Sequence, residues 1–177
     1  MKILKSQAFK CIVVMLSVIL ICGGLLAVLS DLLKVSDTER IQRSIDKIYT
    51  GETVTLTETI FNPDTDEFKT EIGQIKSCYK LSNGDYLVQS TGKKGYSNGT
   101  VTLDIAIYNN NGVLTVKKAV LNGYTAQTLM SQLSSLYDKF VGSTDAEVSV
   151  VTGASMSSTA TINAVKTALA YLNEIGG

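Results

Sequence analysis

The chain has 177 residues, sixteen basic and sixteen acidic side chains, 45% hydrophobic residues and a mean hydropathy of +0.18. That length suits one domain plus one apolar segment, and the balanced charge speaks against a nucleic-acid partner held by overall charge. Histidine is absent, which excludes histidine-based triads, histidine-ligated zinc or haem and H-E-x-x-H hydrolases; no catalytic side chain and no metal site is expected.

The N-terminal segment comes first. Residues 11–30, Cys11 to Ser30, carry no charge; as a helix they would span about 30 Å, one hydrocarbon core. Lys2, Lys5 and Lys10 precede them, so residues 1–10 are expected in the cytoplasm and the rest of the chain outside it. The apolar run is longer than a signal-peptide core and no small-x-small cleavage site follows. Ile21 stands before Cys22 where a lipoprotein box takes a small residue, and no glutamate enters the run as in a pilin leader. The reading is an uncleaved transmembrane helix over 11–30. Thirteen basic residues face sixteen acidic ones beyond it. Of the three cysteines, Cys11 and Cys22 lie in the anchor and Cys78 stands alone in the rest. No disulfide can form there, and Cys78 reads as a small packed residue.

Residues 31–74 read as a membrane-proximal helix and a connector. Asp31 to Tyr49 places Leu32, Leu33, Ile41, Ile45 and Ile48 roughly on one helical face. Thr50 to Glu71 is polar, with Val54 to Ile60 its most strand-like part.

Residues 75–177 read as the main domain. Ile75 to Leu81 and Tyr86 to Ser90 flank Asn83-Gly84, a tight-turn pair. Thr100 to Tyr108 alternates Val101, Leu103, Ile105 and Ile107. After Asn109 to Gly112, Val113 to Leu121 returns with Leu114, Val116 and Val120. Alternation of this kind predicts an antiparallel sheet covered on one face. Thr125 to Phe140 (Leu129, Leu133, Leu136, Phe140) and Ser157 to Ile175 (Ile162, Val165, Leu169, Leu172) have helical spacing. The fold class is α+β: an N-terminal transmembrane helix, then an antiparallel sheet of hairpins with helices packed on it.

Between a strand-like run, Val148 to Val151, and the last helix stands Thr152-Gly153-Ala154-Ser155-Met156-Ser157-Ser158. Small residues and hydroxyls at a helix start suit an anion, because unpaired N–H groups and the positive helix end point there. They equally suit a capped helix, with Ser157 or Ser158 as N-cap and the rest a tight turn.

Thr-Gly-Ala-Ser-x-Ser-Ser-x-Ala-x-x-x-Ala-Val, from Thr152 to Val165, resembles the flavinylation motif of the FMN-binding domain family, Asp-x-x-Ser/Thr-Gly-Ala-Thr. That family includes the G-type subunit of the Rnf electron-transport complex and the C-type subunit of the sodium-pumping NADH:quinone oxidoreductase. The anchor with Gly23-Gly24-Leu25-Leu26, and Gly95-Tyr96-x-x-Gly99 leading into Val101 to Tyr108, are similar to the G-type subunit. The resemblance implies FMN joined through its phosphate to the hydroxyl of Ser155 by a flavin transferase. Thr152, Gly153, Ala154, Ser157, Ser158 and Tyr96 would surround the cofactor. It implies electron transfer beside other subunits of a membrane complex, with the domain extracytoplasmic. Tyr96 would pack on the flavin ring, or serve as an ordinary core or edge tyrosine; Lys93 or Lys94 would face the phosphate or the N1 region of a reduced flavin, or form a solvated basic loop. Three positions depart from the family pattern: Ser155 for threonine, Ser149 for the motif aspartate, and Asn122-Gly123-Tyr124-Thr125 where Glu-Thr-Pro-Gly is common. A flavin-free interaction or scaffold subunit is therefore the alternative reading.

Overall fold

The computed structural model describes the backbone of residues 7–32 and 37–177 and the side chains of residues 10–25 and 38–177. Lys2, Lys5, Leu33 and Lys34 lie outside the described residues, as do the side chains of Asp31 and Leu32. The chain divides into two compact units, one ending at Arg40 and one running from Ile41 to Gly177.

The first unit contains helix α1, Gln7–Leu32, 26 residues long. Every described side chain on it, from Lys10 to Leu25, is exposed, including Ile12, Val14, Leu16, Leu20 and Ile21. The described side chains cover sixteen residues, fewer than the about 20 that a span needs. Among the described residues, no helix is long and apolar enough to cross a membrane.

The second unit is α+β, as expected. Helix α2 spans Asp37–Ile48, and its residues from Ile41 onward belong here. Five antiparallel strands follow: β1 (Leu56–Phe61), β2 (Gly73–Leu81), β3 (Tyr86–Gly92), β4 (Thr100–Asn110) and β5 (Val113–Thr125). They pair in sequence order, β1-β2-β3-β4-β5. Segment 31–74 thus supplies an edge strand as well as a helix. The hairpins turn at Asn83-Gly84 and Asn111-Gly112. Helix α3 (Ser134–Lys139) and helix α4 (Ser155–Ile175) complete the unit.

Helix α4 lies across β2, β3 and β4 and forms the larger core with them. Val101, Leu103, Ile105 and Ile107 all face this core, as their alternation predicts, against Ala160, Ala164, Val165, Ala168 and Leu172. The alanines let the helix come close. A Cβ at Gly92 would collide with the backbone of Ala160 and Ala164, so the contact is helix backbone on strand backbone.

The sheet is covered on both faces rather than one. Ile45, Ile48, Tyr49 and Val54 pack on the second face against Leu81, Leu87 and Ala106, with Ile41, Tyr79 and Val120 at the margin. The amphipathic spacing of Ile41, Ile45 and Ile48 makes α2 the cover. Burying each such isoleucine contributes about 1.5–3 kcal/mol.

Val120 therefore sits opposite to expectation, and β-bulges explain it. The β4–β5 pairing runs Ala106↔Lys118 and Ile107↔Val116, then Thr102↔Gly123 and Leu103↔Leu121, so Lys117 and Asn122 are skipped. The first skip reverses the parity of β5. Leu114 and Val116 face α4, Ala119 faces it too, and Val120 faces α2. Bulges also re-aim side chains, and both extra residues reach buried carboxylates. Lys117 Nζ donates to Asp85 Oδ2 at 3.4 Å, beside Tyr49 Oη at 2.6 Å and Asn83 Nδ2 at 2.9 Å. Asn122 Nδ2 donates to Asp104 Oδ2 at 2.8 Å; Ser44 Oγ of α2 donates to the same oxygen at 2.6 Å and Gln89 Nε2 to Oδ1 at 2.9 Å.

Two further expectations are corrected. Thr125 to Phe140 is helical only from residue 130 onward, as a 3-10 turn (Met130–Leu133) leading into α3. Ala126 and Leu129 have left-handed backbone, φ 49° and 60°, which an α-helix cannot absorb. Leu133, Leu136 and Phe140 are buried as the spacing predicts, whereas Leu129 is exposed. Val148 to Val151, strand-like in sequence, forms no strand among the described residues.

Candidate functional site

The motif segment forms the start of α4. Helical geometry begins at Ser155, not Ser157, with Ala154 as N-cap and no side-chain cap. Alanine is among the poorest N-caps, costing about 1 kcal/mol relative to serine, aspartate or asparagine. The first helical backbone bond runs from Ser158 N–H to Ala154 O, 2.9 Å. Ahead of it, the N–H groups of Ser155, Met156 and Ser157 have no acceptor among the described residues. A 21-residue helix thus ends in open donors beside the exposed hydroxyl of Ser155.

The neighbouring serines do a different job. Ser157 and Ser158 are 2% and 0% exposed, and neither is the N-cap. Ser158 Oγ accepts from Val151 N–H at 3.0 Å and donates to Ala154 O at 2.9 Å, closing the turn that carries Thr152 and Gly153. Ser157 Oγ has Gln127 Oε1 and Thr128 O within 2.9 Å, so its one proton is shared between them. Gly153 adopts φ +85°, and a Cβ there would make only ordinary contact, with Gln132 Oε1 at 3.9 Å. The left-handed backbone, not crowding, is what calls for glycine there. Thr152, Gly153 and Ser155 face solvent, and Ala154 is buried beneath them.

Tyr96 opens a 3-10 turn, Tyr96–Asn98, between β3 and β4. The residue is 47% exposed, and its N–H donates to Gln127 Oε1 at 3.1 Å. The same oxygen accepts from Ser157, so the fold brings Tyr96 and the motif together through Gln127. Sequence reasoning missed Gln127, because one glutamine in a polar stretch carries no pattern. The two glycines at 95 and 99 were the available signal, and their role is taken up below.

The lysines are engaged elsewhere. Lys93 Nζ donates to Thr70 O at 3.2 Å, and Asn163 Nδ2 holds Lys93 O at 2.9 Å. That contact lies eight residues along α4 from Ser155, about 12 Å. Lys94 pairs with Glu71 at 3.7 Å. Neither faces the motif, because both are drawn to the β1–β2 connection. At the motif aspartate's place, Ser149 is exposed. Asp145 closes its own turn onto Glu147 N–H at 2.9 Å, and Glu147 pairs with Lys166 at 2.5 Å. A cleft of about 410 Å³ lies between Phe61 and Lys76, lined by Phe61, Phe68 and Ile75 with Asp64, Asp66 and Glu67. It includes none of the motif residues. No cluster of potential metal ligands occurs among the described residues.

Phosphate suits this site. Its negative charge matches three open N–H groups and the positive end of α4, and the exposed Ser155 hydroxyl stands among them. No curated protein and no solved structure matches the chain. The model of the FMN-binding domain family matches residues 95–170, which run from the Tyr96 turn through β4, β5, α3 and most of α4. Residues 95–170 are therefore similar to the FMN-binding domain family, and that likeness supports FMN as the cofactor.

Proposed function

We propose that the protein is a membrane-anchored extracytoplasmic flavoprotein. In this reading FMN is tied by a phosphoester bond to Ser155 and carries electrons within an Rnf-like ion-translocating complex or a related redox chain. The observation that carries it is the start of α4: an exposed serine hydroxyl beside three open N–H groups on a helix that lacks a side-chain cap, inside the stretch matched by the FMN-binding family. FMN when bound supplies one- and two-electron chemistry. Ser155 supplies the tether, the N–H groups of residues 155–157 receive the phosphate charge, and Ser157 and Ser158 hold the turn rigid from below. A flavin transferase would use a flavin dinucleotide as donor. Ser155 Oγ forms the new O–P bond, the pyrophosphate bond breaks, AMP leaves and the hydroxyl proton passes to solvent.

The anchor is supported by α1. Its described apolar side chains are exposed all round, and a helix with that pattern needs an apolar surrounding. A cytoplasm-only reporter fused after Gly177 is expected to be silent; strong activity overturns the orientation.

The attachment is tested by co-expression with a competent flavin transferase and mass spectrometry of the peptide covering residues 148–166. The expected result is an FMN adduct on Ser155, absent in Ser155→Ala while the domain stays folded, since only an exposed hydroxyl is removed. An adduct on Thr152 moves the site. An unmodified peptide refutes the attachment and favours a flavin-free interaction subunit.

A further inference from the structure

We infer that Gln127 is the positioning residue of the attachment site; this rests on the reading of Ser155 as acceptor. Three segments far apart in sequence meet at its carboxamide. Oε1 accepts from Tyr96 N–H at 3.1 Å and lies 2.9 Å from Ser157 Oγ, while Nε2 donates to Thr125 O at 3.3 Å. The Tyr96 turn, the end of β5 and the first turn of α4 are thereby fixed to one another.

The backbone around it is shaped for this contact. A Cβ at Gly95 would collide with the Gln127 carboxamide, and a Cβ at Gly99 would collide with Thr125 O and stand 2.6 Å from Gln127 Nε2. Both glycines leave the space that the side chain fills. Ala126 and Leu129, each left-handed, end β5 abruptly and turn Gln127 inward between them. With alanine at the N-cap, no capping side chain fixes the start of α4. Ser157, two residues beyond Ser155, is instead held from inside by Gln127 and Thr128 O. Tyr96 N–H has no other acceptor among the described residues. Gln127 therefore sets both the presentation of the Ser155 hydroxyl and the distance of Tyr96 from it.

The test compares full-length wild type, Gln127→Leu, Ser157→Ala and the double variant. The rate of FMN transfer to Ser155 is measured with the transferase and flavin dinucleotide, alongside amide hydrogen exchange. Gln127→Leu is expected to slow transfer about tenfold, the weight of one good hydrogen bond. Exchange should rise at Tyr96 and over residues 155–158 but not in β4 or the rest of α4. Adding Ser157→Ala should slow transfer little further, because the two groups act through one contact. Transfer at the wild-type rate in Gln127→Leu overturns the proposal, and so does a slowing accompanied by faster exchange throughout the core. If the wild type itself is not modified, the acceptor reading fails before any variant is compared, and the positioning role falls with it.

Discussion

Replacing Asp104 by alanine should loosen α2 from the sheet. Asp104 is 4% exposed and accepts from Ser44 Oγ at 2.6 Å, Asn122 Nδ2 at 2.8 Å and Gln89 Nε2 at 2.9 Å. Hydrogen bonds to a charged group contribute about 1.5–3 kcal/mol each, so the gross loss is about 4.5–9 kcal/mol. Two terms offset it. The carboxylate no longer has to be desolvated, and the three donors, each partly exposed, regain water. A net loss of about 3–5 kcal/mol is expected. With a urea slope of about 2 kcal/mol per molar, the midpoint should fall by about 1.5–2.5 M. Asp104→Asn keeps one acceptor oxygen and turns an N–H pair toward donors; it should lose about 1–2 kcal/mol. Equilibrium urea unfolding of the full chain, followed by far-ultraviolet circular dichroism, reads both values. Hydrogen exchange should place the first opening in residues 41–54. A loss below about 1 kcal/mol for Asp104→Ala would refute the view that this carboxylate clamps α2.

Ser90 makes the opposite case. Its hydroxyl is fully buried in β3 without a hydrogen-bond partner among the described residues. Ser90→Ala should leave stability unchanged or raise it by up to about 1 kcal/mol, read as a shift in the unfolding midpoint. Cys78 is fully buried, and burial pushes its thiol from the ordinary 9.0 up to about 12. It should resist thiol reagents until the chain unfolds. Tyr171 is pushed up to about 12 from 10.0, first by desolvation and then by Cys78, Asp66 and Glu174 nearby. Both groups are neutral when protonated and titrate higher when folded. Their contribution is intact below pH 9 and is lost as pH climbs toward 12, so the thermal midpoint should fall between about pH 8 and about pH 11. A constant midpoint across that range would contradict the burial of both groups.

Local patterns carried far in this sequence. Asn83-Gly84 and Asn111-Gly112 marked both later hairpins, and the alternation from Val101 to Ile107 identified the face that meets α4. What escaped depended on breaks in periodicity. The bulge at Lys117 reversed the parity of β5, so Val120 moved to the other face; no residue type announces a bulge of this kind. The left-handed Ala126 and Leu129 cut short a stretch whose leucines have perfect helical spacing. The motif itself was legible, but the division of labour within it was not. Ser155 is exposed, whereas Ser157 and Ser158 are buried braces. Three serines within four residues look alike until tertiary contacts separate them. Gln127 was invisible for the same reason, since its role exists only across three segments.

The pairing of every strand with its neighbour in sequence also governs how the chain acquires its site. Each strand contact closes a short loop, and such local closure favours rapid assembly. The longer closure is the return of α4 across β2, β3 and β4, separated from them by the whole of β5 and α3. Ser157 finds Gln127 and Thr128 only when that helix has docked. On the proposed reading, Ser157 takes up its place beside Ser155 only once α4 has docked, so a transferase that requires that geometry would act on folded chains and pass over unfolded ones.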